Sequence, residues 1–134
     1  MNPSVLFVCV KNGGKSQMAA ALARLAGQDV EVHSAGTHPG NALNEESRAS
    51  VERIGATMDG EFPKAIEAAL LSSVDRVVII GGEAKVEPVE GMRGTIERWE
   101  TDEPSLRGIE GAERMDLIRD DLAARVDAML AELA

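Results

Sequence analysis

Val5-Leu6-Phe7-Val8-Cys9-Val10-Lys11-Asn12-Gly13-Gly14-Lys15-Ser16 runs from an unbroken apolar segment into a glycine-containing polar loop and then into a helix-forming stretch. The apolar run over residues 4–9 does not alternate, which reads as a parallel strand buried on both faces. A strand that feeds such a loop and helix gathers free backbone N–H groups and the positive end of a helix at one spot, an anion cradle. Cys9 lies at its rim. A positive field favours the thiolate, the nucleophilic form of cysteine.

Outward from this stretch, strand and helix patterns alternate. Residues 15–26 read as a helix with Met18, Leu22, Leu25 and Ala26 on one face and Gly27 as its stop. Residues 30–34 alternate and predict a strand ended by Ala35-Gly36. Asn44 is a good N-cap for a short helix to about Ile54, with Glu45 and Glu46 in its first turn. Pro63 suits the first position of a helix through Leu71. Val77-Val78-Ile79-Ile80 is a second buried strand, ended by Gly81-Gly82, and residues 83–94 read as loop. Thr95 to Trp99 predicts a strand, and 111–133 a long helix with Met115, Ile118, Leu122, Val126, Met129 and Leu133 on one face. The alternation implies a parallel sheet covered on both sides. Ligands of such sheets bind beyond the C-terminal strand ends, which places Cys9, Ser34, Gly81 and the 100–104 loop at the working edge.

Composition bounds the rest. At 134 residues the chain is expected to form one domain, 1–134, with a core built from aliphatic side chains, since Phe7, Phe62 and Trp99 are its only aromatics. A net charge of −9 argues against nucleic acid or an anionic membrane as partner, so an anionic substrate must be drawn by a local field. One cysteine excludes an intrachain disulfide and fits a cytoplasmic location. No signal-peptide pattern or membrane-length apolar run is read. His33 and His38 are isolated, and no metal site is expected. Monomer and homodimer both remain open.

The central loop admits three readings. Gly14-Lys15-Ser16 matches the end of a nucleotide-binding Walker loop, but that motif's first glycine would fall on Cys9, and Gly81-Gly82 stands where a magnesium-holding Asp is wanted. In the second, a Cys9 thiolate attacks a tetrahedral oxyanion held by the N–H groups of Val10, Lys11, Asn12, Gly13 and Gly14 and by Lys15. Ser16 would donate to the sulfur and improve it as a leaving group. Carboxylates of the Trp99-Glu100-Thr101-Asp102-Glu103-Pro104 run would supply a proton. In the third, Cys9 is an inert core residue at a strand end. The residues alone leave the second and third evenly matched.

VLFVCVKNGGKSQMAAALA, then VHSAGTHP, DRVVII, a Trp and an acidic residue before Pro resemble, in order and spacing, the low-molecular-weight protein tyrosine phosphatase family and its arsenate reductase branch. The resemblance implies a four-stranded parallel sheet flanked by helices on both faces. It implies Cys9 as nucleophile, Ser16 as hydrogen-bond donor to its sulfur, Asn12 in an unusual backbone conformation with Ser34 as its partner, and Glu103 as general acid, with Asp102 as the alternative.

Three departures from the family pattern bear on function. Lys15 stands where Arg is usual, a point charge in place of a planar fork. Glu103 stands where Asp is usual. The two further cysteines of thioredoxin-coupled arsenate reductases are missing, residues 80–88 reading IGGEAKVEP. With no internal thiol, an arsenic adduct on Cys9 must pass to an external one. The loop CVKNGGKS, with GTHPGNALNEES, PKAI, DRVVI and ERW, resembles the mycothiol-coupled arsenate reductases. That likeness implies arsenate as substrate, mycothiol as co-substrate, a glutaredoxin-like reductase (mycoredoxin) downstream and no tightly bound cofactor. Hydrolysis of phosphotyrosine or small phosphate esters is the alternative, and a non-catalytic oxyanion-binding regulatory module a second one.

Overall fold

A computed structural model of the chain describes residues 2–27 and 29–133, so Met1, Gln28 and Ala134 of the expected domain lie outside the described residues. The elements are β1 (Ser4–Cys9), α1 (Lys15–Leu25), β2 (Glu31–Gly36), α2 (Glu45–Glu52), α3 (Ala68–Ser73), β3 (Arg76–Ile80), β4 (Thr95–Trp99), a 3-10 turn (Pro104–Arg107) and α4 (Gly111–Leu133). The four strands form one parallel sheet in the order β2-β1-β3-β4.

The unbroken apolar character of β1 has its cause in the two cores. Val5 and Phe7 point to one face, Leu6 and Val8 to the other, and all four are fully buried. The first face is covered by α1, α2 and α4, and Phe7 stacks at a tilt on Trp99 with ring centroids 5.8 Å apart. The second face is covered by α3 together with Ile66, Val86, Val89 and Met92 from irregular segments. Met115, Ile118, Leu122, Val126 and Met129 line the buried stripe of α4 as their spacing predicts. No helix among the described residues is long and apolar enough to cross a membrane.

Several local expectations need correction. Pro63 does not begin a helix. Residues near it run extended, Ala65 bridges Gly36 in parallel, the Gly36 N–H donates to the Lys64 carbonyl, and α3 starts only at Ala68. The backbone pairing available at the end of β2 outweighs the local helix-start signal of one proline. The Ala35-Gly36 pair continues β2 instead of ending it. Leu25 is exposed, whereas Ser16 to Ala23 are buried. Asn44 caps α2 as expected, its side chain accepting from the Ser47 N–H at 2.8 Å.

Register places the site. Cys9 pairs with Gly36, Val8 with Ile79 and Ile80 with Trp99, so the strands end together and the loops after them share one edge. The chain leaves β1 for β2 on one side and later β3 on the other, so Cys9 sits where the topology reverses, the usual binding crevice of an open parallel sheet. Gly36 is demanded there by close approach: a Cβ would lie 2.6 Å from the Val10 carbonyl oxygen and 3.0 Å from the Asn12 Cβ. Gly36→Ala should therefore destabilise the fold by about 1–3 kcal/mol, the usual cost of overpacking. A lower urea midpoint with an unchanged slope would show it, and wild-type stability would refute the crowding argument.

Candidate active site

Peptide geometry makes the 10–16 loop an anion receptor. In a trans peptide, C=O and the following N–H point in opposite directions. The loop's carbonyls are all engaged on its outer side. Cys9 accepts from the Thr37 N–H at 3.1 Å, Val10 from His38 at 2.8 Å, Lys11 from Gly40 at 3.0 Å and Gly13 from Asn44 at 2.7 Å. Asn12 accepts from the Gln17 side-chain amide and Gly14 from the Met18 N–H. The N–H groups thus turn the other way. Among the described residues, no protein acceptor takes those of Lys11, Gly13, Gly14, Lys15 and Ser16. α1 has no side-chain cap, so its positive end adds to the same field.

The sulfur is held by a directed chain. Asn12 Nδ2 donates to Ser16 Oγ at 2.8 Å, which commits the serine's own proton to the Cys9 Sγ 2.9 Å away. The Asn12 N–H donates to the same sulfur at 3.3 Å. Two donors on one sulfur suit a thiolate. Asn12 itself is fully buried with φ at +53°, a left-handed conformation rare for a residue with a side chain. Its Oδ1 accepts from the Lys64 N–H at 3.0 Å and from Gln17 Nε2 at 3.2 Å.

The expected Asn12–Ser34 pairing is not formed. The Ser34 hydroxyl accepts instead from Lys64 Nζ at 3.3 Å, and the Asn12 amide is consumed by Ser16, Gln17 and Lys64. Lys64 and Gln17 are the supports that the sequence reading missed. Gln17 looks like an ordinary polar residue of an early helical turn. Lys64 carries no local signal at all, since its role depends on the segment after Phe62 crossing beneath the loop.

Lys15 opens α1, and its Nζ donates to Thr101 Oγ1 at 3.1 Å, which ties the loop to the segment after β4. Val10 and Lys11 hold the outer wall through their carbonyls, with the Lys11 side chain exposed. His33 is bonded to Glu31 and His38 to Thr37, away from the sulfur network.

The acidic run is arranged differently from expectation. Glu103 caps the 3-10 turn by accepting from the N–H and hydroxyl of Ser105, and it grips Arg114 in a two-pronged pair at 2.9 and 2.7 Å. That guanidinium is the largest cause holding the carboxyl's pKa at about 2; the Ser105 bonds reinforce it and partial burial opposes it. In this state Glu103 is a fully engaged carboxylate with no proton to give. The alternative, Asp102, is likewise kept ionised, chiefly by Arg107, which it meets at 2.7 and 3.2 Å. A proton-donor role for either requires its arginine pair to open first.

Comparison with known proteins agrees with this geometry. Residues 4–134 match the family described as low molecular weight phosphotyrosine protein phosphatase. The chain belongs to this family. Its relatives include a candidate arsenate reductase of Halobacterium salinarum, 31% identical over 129 residues that cover 90% of this chain and 85% of that one. A low molecular weight protein-tyrosine-phosphatase of Acinetobacter johnsonii is 30% identical over 79 residues, 58% of this chain and 56% of that one. Among solved structures, an arsenate reductase in the phosphate binding state superposes with a TM-score of 0.83 at 25% identity, covering 98% of this chain and 99% of the other. The thioredoxin-dependent arsenate reductase of Corynebacterium glutamicum gives 0.77 at 27% identity, covering 98% of this chain and 62% of its own. Phosphatase and arsenate reductase are thus both family-level activities for this fold, and a tetrahedral oxyanion is the shared ligand.

The Glu103–Arg114 pair makes a pH prediction. A carboxyl whose folded pKa is lowered from its ordinary 4.5 to about 2 stabilises the fold above pH 4.5, and that contribution is lost as pH falls towards 2. The side chains are 29% and 27% exposed, so solvent screening reduces the effect to about 1–2 kcal/mol. Urea unfolding across pH 2–7 should show a steeper acid loss in the wild type than in Glu103→Gln. Parallel curves would mean that the pair contributes nothing.

Proposed function

We propose that this protein is an arsenate reductase of the transferase kind, passing arsenic from Cys9 to an external low-molecular-weight thiol, mycothiol. One observation carries the reading: the chain's single cysteine sits in a complete oxyanion loop, so no second thiol of the chain can resolve an adduct formed there. The arsenate reductase relatives, matched over nearly the whole chain, support the substrate.

In the proposed reaction the Cys9 thiolate attacks arsenic while the free loop N–H groups and Lys15 hold the other oxygens. An As–O bond breaks and the oxygen departs as water. Glu103, once it has left Arg114, takes up a proton from solvent and passes it to the departing oxygen. The thiol sulfur of mycothiol then attacks arsenic, the Cys9–arsenic bond breaks, and the Cys9 thiolate is restored while the thiol proton goes to solvent. Arsenic remains pentavalent throughout. Reduction follows on a separate glutaredoxin-like reductase (mycoredoxin): its thiolate attacks the sulfur of the adduct, and the bonding pair leaves with arsenic as arsenite. Soluble co-substrates and a reducing cytoplasm suit this scheme.

Arsenate turnover with that reductase present should require mycothiol, and Cys9→Ser should abolish it without loss of fold. Turnover supported by thioredoxin alone would overturn the external-thiol reading.

Hydrolysis of phosphate esters is the second reading, favoured by the family and by the Acinetobacter relative. Lys15 separates the two. Phosphoryl transfer spreads charge over three equatorial oxygens, which a planar guanidinium fork grips better than an ammonium already bonded to Thr101. The natural protein should hydrolyse aryl phosphates poorly and gain on Lys15→Arg, with arsenate transfer unimproved. Efficient aryl phosphate hydrolysis together with indifference to arsenate plus mycothiol would establish the phosphatase instead.

A further inference from the structure

One carbonyl of the oxyanion loop is held differently from its neighbours. Those of Cys9, Val10, Lys11, Gly13 and Gly14 each accept a backbone N–H, from Thr37, His38, Gly40, Asn44 and Met18. The Asn12 carbonyl accepts instead from the side chain of Gln17, at 3.2 Å. A side chain therefore sets the plane of the Asn12–Gly13 peptide.

Gln17 lies in the first turn of α1 and is fully buried. Its Nε2 faces three oxygens, the Asn12 carbonyl, Asn12 Oδ1 and the Phe62 carbonyl, each at 3.2 Å. Only the nitrogen of the amide can face such a set, which fixes the amide's orientation. Its Oε1 is buried with no partner among the described residues. The donors of this amide are thus spent on Asn12 and on the segment that crosses beneath the loop, while its acceptor is idle and costs stability.

The consequence falls on Gly13. Across a trans peptide the Gly13 N–H points opposite to the Asn12 carbonyl. Among the described residues no protein acceptor takes that N–H. While Gln17 holds the carbonyl outward, the N–H faces the cradle. Glycine offers little resistance to rotation of the plane, because it adopts backbone conformations of either hand. Asn12 is fully buried, so without Gln17 its carbonyl would be an acceptor with no protein donor, a state that backbone groups avoid. Rotation would relieve that state by turning the oxygen into the cradle, where it repels an oxyanion.

We infer that Gln17 is a positioning residue for the oxyanion: it keeps the Asn12–Gly13 peptide turned so that the Gly13 N–H, and not the Asn12 carbonyl, meets the substrate. The inference rests on the oxyanion-loop chemistry proposed above and is independent of which thiol receives the arsenic.

The test uses inorganic phosphate as probe, on the wild type, Gln17→Met and Gln17→Asn. Methionine matches the length of glutamine without its donors, and it also removes the idle acceptor, which returns part of the lost stability. Asparagine keeps a buried amide whose reach is one methylene shorter. Calorimetry gives the phosphate affinity, and amide NMR spectra follow each loop N–H during the titration. Both variants should bind phosphate about tenfold or more weakly, the worth of one hydrogen bond to a charged group. The Gly13 amide should lose its response to phosphate while those of Gly14 and Lys15 keep theirs, a selectivity that general loosening of the fold would not produce. Unchanged affinity with the Gly13 response intact would overturn the inference. Uniform loss of response along the loop would make Gln17 a support of the loop as a whole and overturn its assignment to one peptide. In the wild type alone, a Gly13 amide unmoved by phosphate while its neighbours shift would overturn the inference without any variant. Absence of phosphate binding by the wild type would overturn the oxyanion loop itself, and this inference with it. Failure of arsenate turnover with mycothiol, with the phosphate results as expected, would overturn the transfer reading and leave the role of Gln17 standing.

Discussion

The site depends on one buried residue in an uncommon backbone state. Asn12 sits at φ +53°, which costs of order 1–3 kcal/mol in a residue with a side chain. That turn aims the Asn12 N–H at the Cys9 sulfur and lets the loop double back into α1. It persists because every polar atom of the Asn12 side chain is used. Its amide N–H fixes the orientation of the Ser16 hydroxyl, and its carbonyl oxygen binds both Gln17 and the Lys64 backbone. Gly36 then lies so close beneath that no side chain fits. Strain, satisfied buried polar groups and steric closure act together, which is how a short polar loop is held rigid enough to present a row of N–H groups.

Much of this frame was legible in the sequence because it is local. The non-alternating apolar run of β1, the stop at Gly27, the Asn44 cap and the apolar stripe of α4 are signals a few residues long, and each appears in the structure near its expected place. Cys9 and Ser16 come together because strand, loop and helix are consecutive. The failures are all non-local. Pro63 signals a helix start, yet pairing with Gly36 keeps its neighbours extended. Lys64 supports both Asn12 and Ser34 from 52 and 30 residues away, and no periodicity announces such a contact. The Arg114 partner of Glu103 comes from another element, so the state of that carboxylate could not be read from the acidic run itself.

Electrostatics show the same division between local and assembled properties. The chain is strongly acidic, yet two carboxylates of the acidic run are neutralised by arginines, Glu103 by Arg114 and Asp102 by Arg107. What an approaching oxyanion meets is therefore not the net charge but free N–H groups, a helix end and the Lys15 ammonium. Lys15 has a second duty, since its bond to Thr101 holds the segment carrying the acidic run against the loop. An arginine there would widen the grip on substrate, but it would have to find a different anchor for that segment.

A lone thiol imposes a final constraint on the proposed transfer: Cys9 must be a nucleophile towards arsenic in one step and a leaving group in the next. Stabilising a thiolate lowers its nucleophilicity only fractionally, with a slope of about 0.4–0.5 against its basicity, and makes the sulfur a faster leaving group. The Ser16 hydroxyl and Asn12 N–H on the sulfur therefore weaken attack modestly while easing departure. An enzyme with an internal resolving cysteine captures its adduct at once. One without must hold the adduct until a second molecule arrives, and then release it with no second thiol of its own. Donors fixed on the sulfur before substrate binds meet that need, and the buried Asn12 network is what fixes them.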